Sequence, residues 1–505
     1  MSNQTGRAEA PSPEAAAGPS PRGLDPADWE DFRAEAHRML DTMVDHMAGL
    51  ADGPVRRPIP PEIRSAFETP LPREGAPLPA LHQAFAREIL PYGAGNAHPR
   101  FMGWVQGAGT AVGMAAEMLA AGLNANLGGR DQAPLEVERQ VTRWMAELFG
   151  FPRSASGVFL TGASMANFVA LIIARTAALG PGSRAEGLAG TGERLVGYTS
   201  AAAHGCVVRA FEMAGLGSEA LRRLPVDAAG RLDPKVLERA ISADRAAGLR
   251  PFLAVATAGS VDTGAIDPLA GLAEVAEREG LWFHIDGALG ALAVLSPELA
   301  PRFAGIERAD SLAFDFHKWG QVPYDAGFLL VRDRDAHLDA FASPAAYLQR
   351  GEGGLFGGSP WPCDFGPDLS RGFRALKTWF TFKAFGADRL GEVIAGTCRL
   401  AEELASRVEA HPELESLAPV GLNIVCFRYR PRTPGLDLDA LNHRVVVALQ
   451  DFGLAAPSTT VLPQGLAIRA AIVNHRTASP DIEALVDAVV ALGRAEAQRM
   501  GAGGC

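Results

Sequence analysis

The chain has 505 residues, 48% of them hydrophobic, with a formal net charge of −11 and a pI near 5.6. That length and apolar content exceed what one ordinary domain needs, and the acidic balance excludes nucleic acid and anionic membranes as expected partners. No apolar run is long enough to span a bilayer, and the cysteines (Cys206, Cys363, Cys398, Cys426, Cys505) are scattered, odd in number and without metal-site spacing, so a cytoplasmic protein with no metal centre is expected.

In chain order, residues 1–27 read as a disordered tail: Ala8 to Pro26 is rich in Ala, Pro, Gly and Ser and lacks the basic-then-apolar order of a signal peptide. Residues 28–110 read as an N-terminal helical segment. Within it, Asp28 to Leu50 carries Phe32, Ala36, Leu40, Met43, Val44 and Met47 at helical spacing, apolar enough to need a partner surface. Pro54 to Pro79 reads as an extended connector. A large domain is expected over 111–385, with Thr110 to Asn126 and Leu135 to Phe149 helical. From Val158 to Val331, short β-rich runs alternate with helical stretches, the strands expected at Val158–Thr161, Leu195–Tyr198, Phe252–Ala256, Trp282–Ile285, Ser311–Phe314 and Gly327–Val331. This alternation predicts an α/β fold, a mostly parallel sheet with helices on both faces and ligands at the carboxyl ends of its strands. The glycine-rich stretch Gly351 to Pro362 reads as a linker or, preferably, a mobile lid. Phe373 to Phe385 is helical, and residues 386–497 form a small C-terminal α+β domain with helices at Asp388–His411 and Asp481–Gln498 and strands at Val425–Arg428 and Leu466–Ala471.

Chemistry enters at two strand ends. Asp286 closes the apolar run Phe283-His-Ile-Asp-Gly-Ala288, and Lys318 follows His317 in Asp310-Ser-Leu-Ala-Phe-Asp-Phe-His-Lys-Trp319. Singly, Asp286 reads as a helix cap and Lys318 as a solvated loop residue. Together they match the two requirements of pyridoxal phosphate (PLP): a lysine that holds its aldehyde as a Schiff base, and a carboxylate that keeps its pyridine nitrogen protonated. A carboxylate at a buried strand end needs a cation, and a pyridinium is one. Gly162-Ala163-Ser164, between a strand and the helix Asn167 to Arg175, offers small residues and backbone amides to a phosphate, although an ordinary strand-to-helix turn looks the same. His204 follows another strand and offers a flat partner to an aromatic ring. Thr257 ends the strand Ala254-Val-Ala-Thr-Ala-Gly-Ser260 within reach of the ring or the substrate.

These features, with His98-Pro-Arg-Phe101 and Leu466-Ala-Ile-Arg-Ala-Ala-Ile-Val-Asn-His-Arg-Thr477, resemble the group II PLP-dependent decarboxylases from about Trp29 to about Leu492. That family includes aromatic-amino-acid, histidine and glutamate decarboxylases. The resemblance implies PLP-dependent transferase fold type I, an amino acid substrate and a homodimer across which the N-terminal helices pack. Residue by residue, it implies Ala163 and Ser164 at the phosphate, His204 stacked on the ring, Asp286 at the pyridine nitrogen, Thr257 lining the cofactor and Lys318 as its anchor, with Asp315 and His317 beside it. It also implies a side-chain pocket of Trp104, Val105 and Gln106. Trp104, unless it is plain core, suits an aromatic or bulky apolar substrate, and the pattern that binds a glutamate side chain is not reproduced.

Two departures stand out. Asp315 replaces an asparagine that helps hold the phosphate in aromatic decarboxylases, so it either points elsewhere or meets an arginine. The family's lid carries a tyrosine that protonates Cα, yet none of the five tyrosines lies between Leu348 and Trp379; Trp361 takes that place, with Phe356 nearby. His204 is then an alternative acid from the opposite face. The leading expectation is decarboxylation of an aromatic L-amino acid to its amine. The alternatives are decarboxylation with oxidative deamination to an aldehyde, which accompanies an apolar lid residue in the family, and PLP binding without turnover.

Overall fold

Strands form where β-branched and aromatic residues run between turn-forming ones, and the computed structural model, which describes residues 23–342, 353–432 and 434–502, contains twelve of them. The short β1 (Phe101–Met102) joins a second sheet described below. The main sheet has seven strands: β2 (Ser156–Leu160), β3 (Leu195–Ser200), β4 (Leu221–Leu224), β5 (Arg250–Thr257), β6 (Trp282–Asp286), β7 (Ser311–Asp315) and β8 (Gly327–Val331). Their spatial order is β2-β8-β7-β6-β5-β3-β4. Parallel pairing runs from β7 through β6, β5 and β3 to β4, while β8 is antiparallel to both β7 and β2. The parallel strands are buried almost throughout, which explains their near-continuous apolar runs. Register aligns their carboxyl ends: Thr257 lies opposite Asp286, and Asp286 opposite Ala313. At one corner the backbone of Gly327 passes so close to Gly162 that a Cβ there would lie 2.3 Å from the Gly162 Cα, so a side chain is excluded where β8 meets the β2 turn.

The second sheet adds β9 (Leu414–Ser416), β10 (Ile424–Tyr429), β11 (Ala456–Leu462) and β12 (Gly465–Ala471) in the order β1-β11-β12-β10-β9. It packs against helices Ala387–Ala410, Leu438–Asp451 and Ser479–Ala502. Sequence reasoning lacked β4, β9, β11 and the helix Leu438–Asp451, and it did not foresee that a strand from before residue 111 would enter this sheet.

The chain divides into two compact units, residues 1–49 with 59–92, and residues 50–58 with 93–505. In the first, the helix Trp29–Ala48 is capped by Asp28, whose carboxylate accepts from Glu30 N at 2.7 Å and Asp31 N at 3.1 Å. Its buried Glu35 accepts from His82 Nδ1 at 2.7 Å. The stretch expected to be an extended connector contains a helix, Pro61–Ala66, because a proline at the first helical position has the φ the helix needs. In the second unit, the described part of the glycine-rich stretch is tied down. Leu355 O accepts from Asp131 N at 3.2 Å, Gly128 O accepts from Cys363 N at 3.1 Å, and Arg139 donates to the carbonyls of Gly358 and Pro360. Gly351 and the lid boundary at Leu348 lie outside the described residues, as do Cys505 and most of the expected tail.

Candidate active site

The carboxyl ends of β2, β3, β5, β6 and β7 deliver polar side chains to one cavity of about 430 Å³. Its lining includes Gly162, Ala163 and Ser164 after β2, His204 after β3, Thr257 at the end of β5, Asp286 at the end of β6, and Asp315, His317 and Lys318 after β7. The structure thus gathers all of the expected cofactor residues, and Trp104, Val105 and Gln106 line the same cavity. Trp104 is 55% exposed with φ of 50°, so it is a rim residue and not core.

Asp286 forms the floor. Its Oδ1 accepts from Ala288 N at 3.1 Å and its Oδ2 from Asn167 Nδ2 at 3.0 Å. Asn167 Oδ1 lies 2.7 Å from His284 Nε2, and His284 Nδ1 lies 2.8 Å from Ser311 Oγ, which accepts from Trp282 Nε1 at 2.8 Å. One proton arrangement satisfies the chain: the indole donates to Ser311, Ser311 to Nδ1, and Nε2–H to Asn167, which turns its amide N–H toward Asp286. Complete burial pushes the His284 imidazole down to about 4, so it is neutral in this role. Cys206 Sγ lies 3.9 Å from Asp286 Oδ2, and burial with this carboxylate pushes its thiol up to about 12, which removes it as a nucleophile.

The lysine side is equally defined. Lys318 Nζ lies 2.9 Å from Asp315 Oδ2, while Asp315 Oδ1 accepts from Ala163 N at 2.7 Å. Burial pulls the Lys318 ammonium down, but the hydrogen-bonded Asp315 carboxylate outweighs this, with Asp286 adding to it, and the net shift is upward. Asp315 therefore neither points away nor meets an arginine: its partners are the lysine, His317 Nε2 at 3.7 Å and the amide at the start of the helix Ala163–Leu179. That helix begins at the turn itself, four residues earlier than the sequence indicated. Thr257 is fixed through its backbone, since Asp267 Oδ2 accepts from Thr257 N at 2.8 Å. Its buried Oγ1 has no hydrogen-bond partner among the described residues. His204 Nδ1 accepts from Cys206 N at 3.2 Å, which leaves the ring proton of the neutral form on Nε2.

Phe356 and Trp361 are absent from the lining. Trp361 is 1% exposed, donates from Nε1 to Gly357 O at 2.8 Å, stacks under Arg130 at 5.1 Å and leaves no room for a Cβ on Gly129. A large indole above a glycine gains more by burial than by projecting from a loop, and Phe356, 55% exposed, lies on the outer surface. The residue sequence reasoning missed is Tyr324, which lines the cavity with its ring 4.4 Å from His317. It sits in the irregular loop that follows Lys318, where no strand end marks it.

An unpartnered buried hydroxyl, a buried carboxylate, a lysine and a helix N-terminus preceded by glycine are a donor set that fits PLP. The model of the pyridoxal-dependent decarboxylase conserved domain matches residues 60–430. The chain belongs to that family. This decarboxylase is 32% identical to an aromatic-L-amino-acid decarboxylase of Bacillus atrophaeus over 470 residues, 92% of the chain and 95% of the relative. It is 31% identical to an L-2,4-diaminobutyrate decarboxylase of Rhizobium meliloti (83% of each) and 30% identical to a phenylacetaldehyde synthase of Arabidopsis thaliana (89% and 93%). Among solved structures it resembles Oryza sativa TDC with PLP and tryptamine, with a TM-score of 0.84 and 25% identity over 95% of this chain and 100% of that one. The decarboxylase is a PLP-dependent carboxy-lyase of fold type I, acting on an amino acid.

Proposed function

We propose that this decarboxylase removes the α-carboxylate of an aromatic L-amino acid and releases the amine. The observation that carries this reading is the character of the cavity's outer wall. Trp104, Val105, Val261, Ala288 and Leu289 supply apolar surface, Gln106 adds one neutral polar group, and among the described residues Lys318 is the only Lys or Arg in the lining. A distal carboxylate would find no cation there, and a distal ammonium would compete with Lys318 for the deep Asp286 and Asp315. When bound, PLP supplies an electron sink conjugated to the substrate Cα. In the proposal Lys318 holds its aldehyde, Asp286 keeps its ring nitrogen protonated, Ala163 and the Ser164 hydroxyl lie at the phosphate, Thr257 lines the ring, and His204 covers one face.

A homodimer belongs to the same proposal. Met118, Leu119 and Leu123 expose one side of the helix Ala111–Leu123, and Trp29, Phe32 and Val44 are exposed on the N-terminal helix, as expected for surfaces that meet a second copy. The free thiols of Cys206, Cys398 and Cys426 support a cytoplasmic setting. A second reading, aldehyde formation, is favoured by the likeness to a phenylacetaldehyde synthase and by the absence of tyrosine from residues 353–372. The test is a panel of L-amino acids under air, with carbon dioxide, amine, aldehyde and hydrogen peroxide measured together. Carbon dioxide with stoichiometric amine from an aromatic substrate is expected. Aldehyde with peroxide selects the second reading, and carbon dioxide only from acidic or diamino acids overturns both.

A further inference from the structure

Tyr324 stands in the loop between β7 and β8 and lines the cavity together with Lys318. Its placement is over-determined. Lys377, buried on the helix Arg374–Phe385, donates from Nζ to Tyr324 O at 3.0 Å. One turn earlier, Arg374 Nε donates to the neighbouring Asp325 at 2.8 Å. His317 Nδ1 accepts from Ala326 N at 3.0 Å, which fixes the imidazole that packs on the phenol ring. Gly107 approaches the backbone of the anchor segment so closely that a Cβ would lie 2.3 Å from His317 O and 2.5 Å from Lys318 O. The segment before Gly107 thereby reaches the same cavity, where Gln106, Lys318 and Tyr324 line one space. A phenol that lines the cavity has a proton to give, and the Lys318 ammonium beside it would favour its conjugate base.

We propose that Tyr324 is the acid that protonates the substrate Cα, in place of a residue on the glycine-rich segment. This rests on the decarboxylase reading given above. The step balances simply. The bond between Cα and the carboxylate breaks, carbon dioxide leaves without the bonding pair, and the Tyr324 O–H proton joins that pair as a new Cα–H bond. Water returns a proton to the phenolate as the amine departs. Burial holds the Tyr324 hydroxyl above the usual tyrosine range; the Lys318 ammonium and the Gly107 amide oppose this, while Asp315 reinforces it. The acid is therefore protonated throughout the neutral range, and amine formation should fail only at alkaline pH.

The test uses the PLP-loaded protein and its Tyr324→Phe variant. Borohydride reduction should label Lys318 equally in both, because the phenol is not needed to hold the cofactor. Amine kcat should fall ~10²–10⁴-fold with little change in KM, the alkaline limb of the pH profile should vanish, and the share of aldehyde plus peroxide should rise. In the cofactor-free protein, difference titration against the variant should show one phenol ionising above the ordinary range. Unchanged amine kcat and product ratio in Tyr324→Phe would overturn the proposal, as would transfer of the whole loss to His204→Gln. Loss of the Lys318 label would overturn it too, since Tyr324 would then support cofactor attachment. A wild-type protein that releases no carbon dioxide would instead sink the decarboxylase reading itself.

Discussion

The floor and the rim of the cavity are built on opposite principles. At the floor, Asp286, Asn167, His284 and Ser311 are each 5% exposed or less and form one hydrogen-bonded chain in which every proton has an assigned place. At the rim, Trp104 and Tyr324 are 55% and 47% exposed and are held through backbone contacts: Arg469 Nη1 donates to Trp104 O at 2.8 Å, and Lys377 Nζ to Tyr324 O. Cofactor chemistry needs a fixed, dry carboxylate, so it is built where a misplaced polar group is most costly. Substrate and product selection need side chains that face solvent until a substrate covers them. The difference implies that floor substitutions act on turnover and stability together, and rim substitutions on substrate choice or product formation with stability unchanged.

The comparison breaks most visibly if a supposed rim residue proves to be core. Trp361→Ala should cost about 3–5 kcal/mol of stability, measured by denaturant unfolding, with KM for an aromatic substrate unchanged. A raised KM at constant stability would return Trp361 to the substrate pocket. At the floor, Asp286→Asn should keep bound PLP but lower turnover ~10²–10³-fold, because a neutral amide no longer favours the protonated ring. Near-normal kcat in this variant would remove Asp286 from the electron-sink assignment. A smaller effect concerns acid. The folded His284 pKa is depressed from 6.5 to about 4, so its stabilising contribution is complete above pH 6.5 and is lost as pH falls through the folded value, a change of ~3 kcal/mol. His284→Phe should be less stable overall yet lose less stability between neutral and acid pH; an unchanged pH slope would show that the imidazole is not buried neutral. The smallest shift belongs to the rim. Trp104→Ala should lower kcat/KM for an aromatic amino acid about tenfold, with melting temperature and PLP content unaltered.

The sequence made the floor and the lysine legible because their chemistry depends on residue types at strand ends, and short near-continuous apolar runs reveal where those strands end. Asp286, Lys318, His204 and Thr257 were found this way. The supporting atoms were not, since Asn167 lies on a different element from its partners Asp286 and His284 and nothing in the spacing joins them. Tyr324 was hidden for a related reason: it lies in an irregular loop whose path is set by Gly107 and Lys377, both distant in sequence. Trp361 went wrong in the opposite sense. Counting along a glycine-rich stretch ignored the gain from burying an indole against Gly129 and Arg130. The missed helix Pro61–Ala66 shows the same bias, with prolines read as breakers where one of them starts a helix.

One measurement bears most directly on the claim that this cavity is a PLP site anchored at the end of β7. The chain has four lysines: Lys235 and Lys383 are exposed, Lys377 is buried at the loop carbonyl of Tyr324, and Lys318 lines the cavity. Borohydride reduction of the PLP-loaded protein, followed by peptide mapping, should place a single pyridoxyl group on Lys318 and none on the other three. A label on Lys377 or on the exposed lysines, with Lys318 unmodified, would contradict the account.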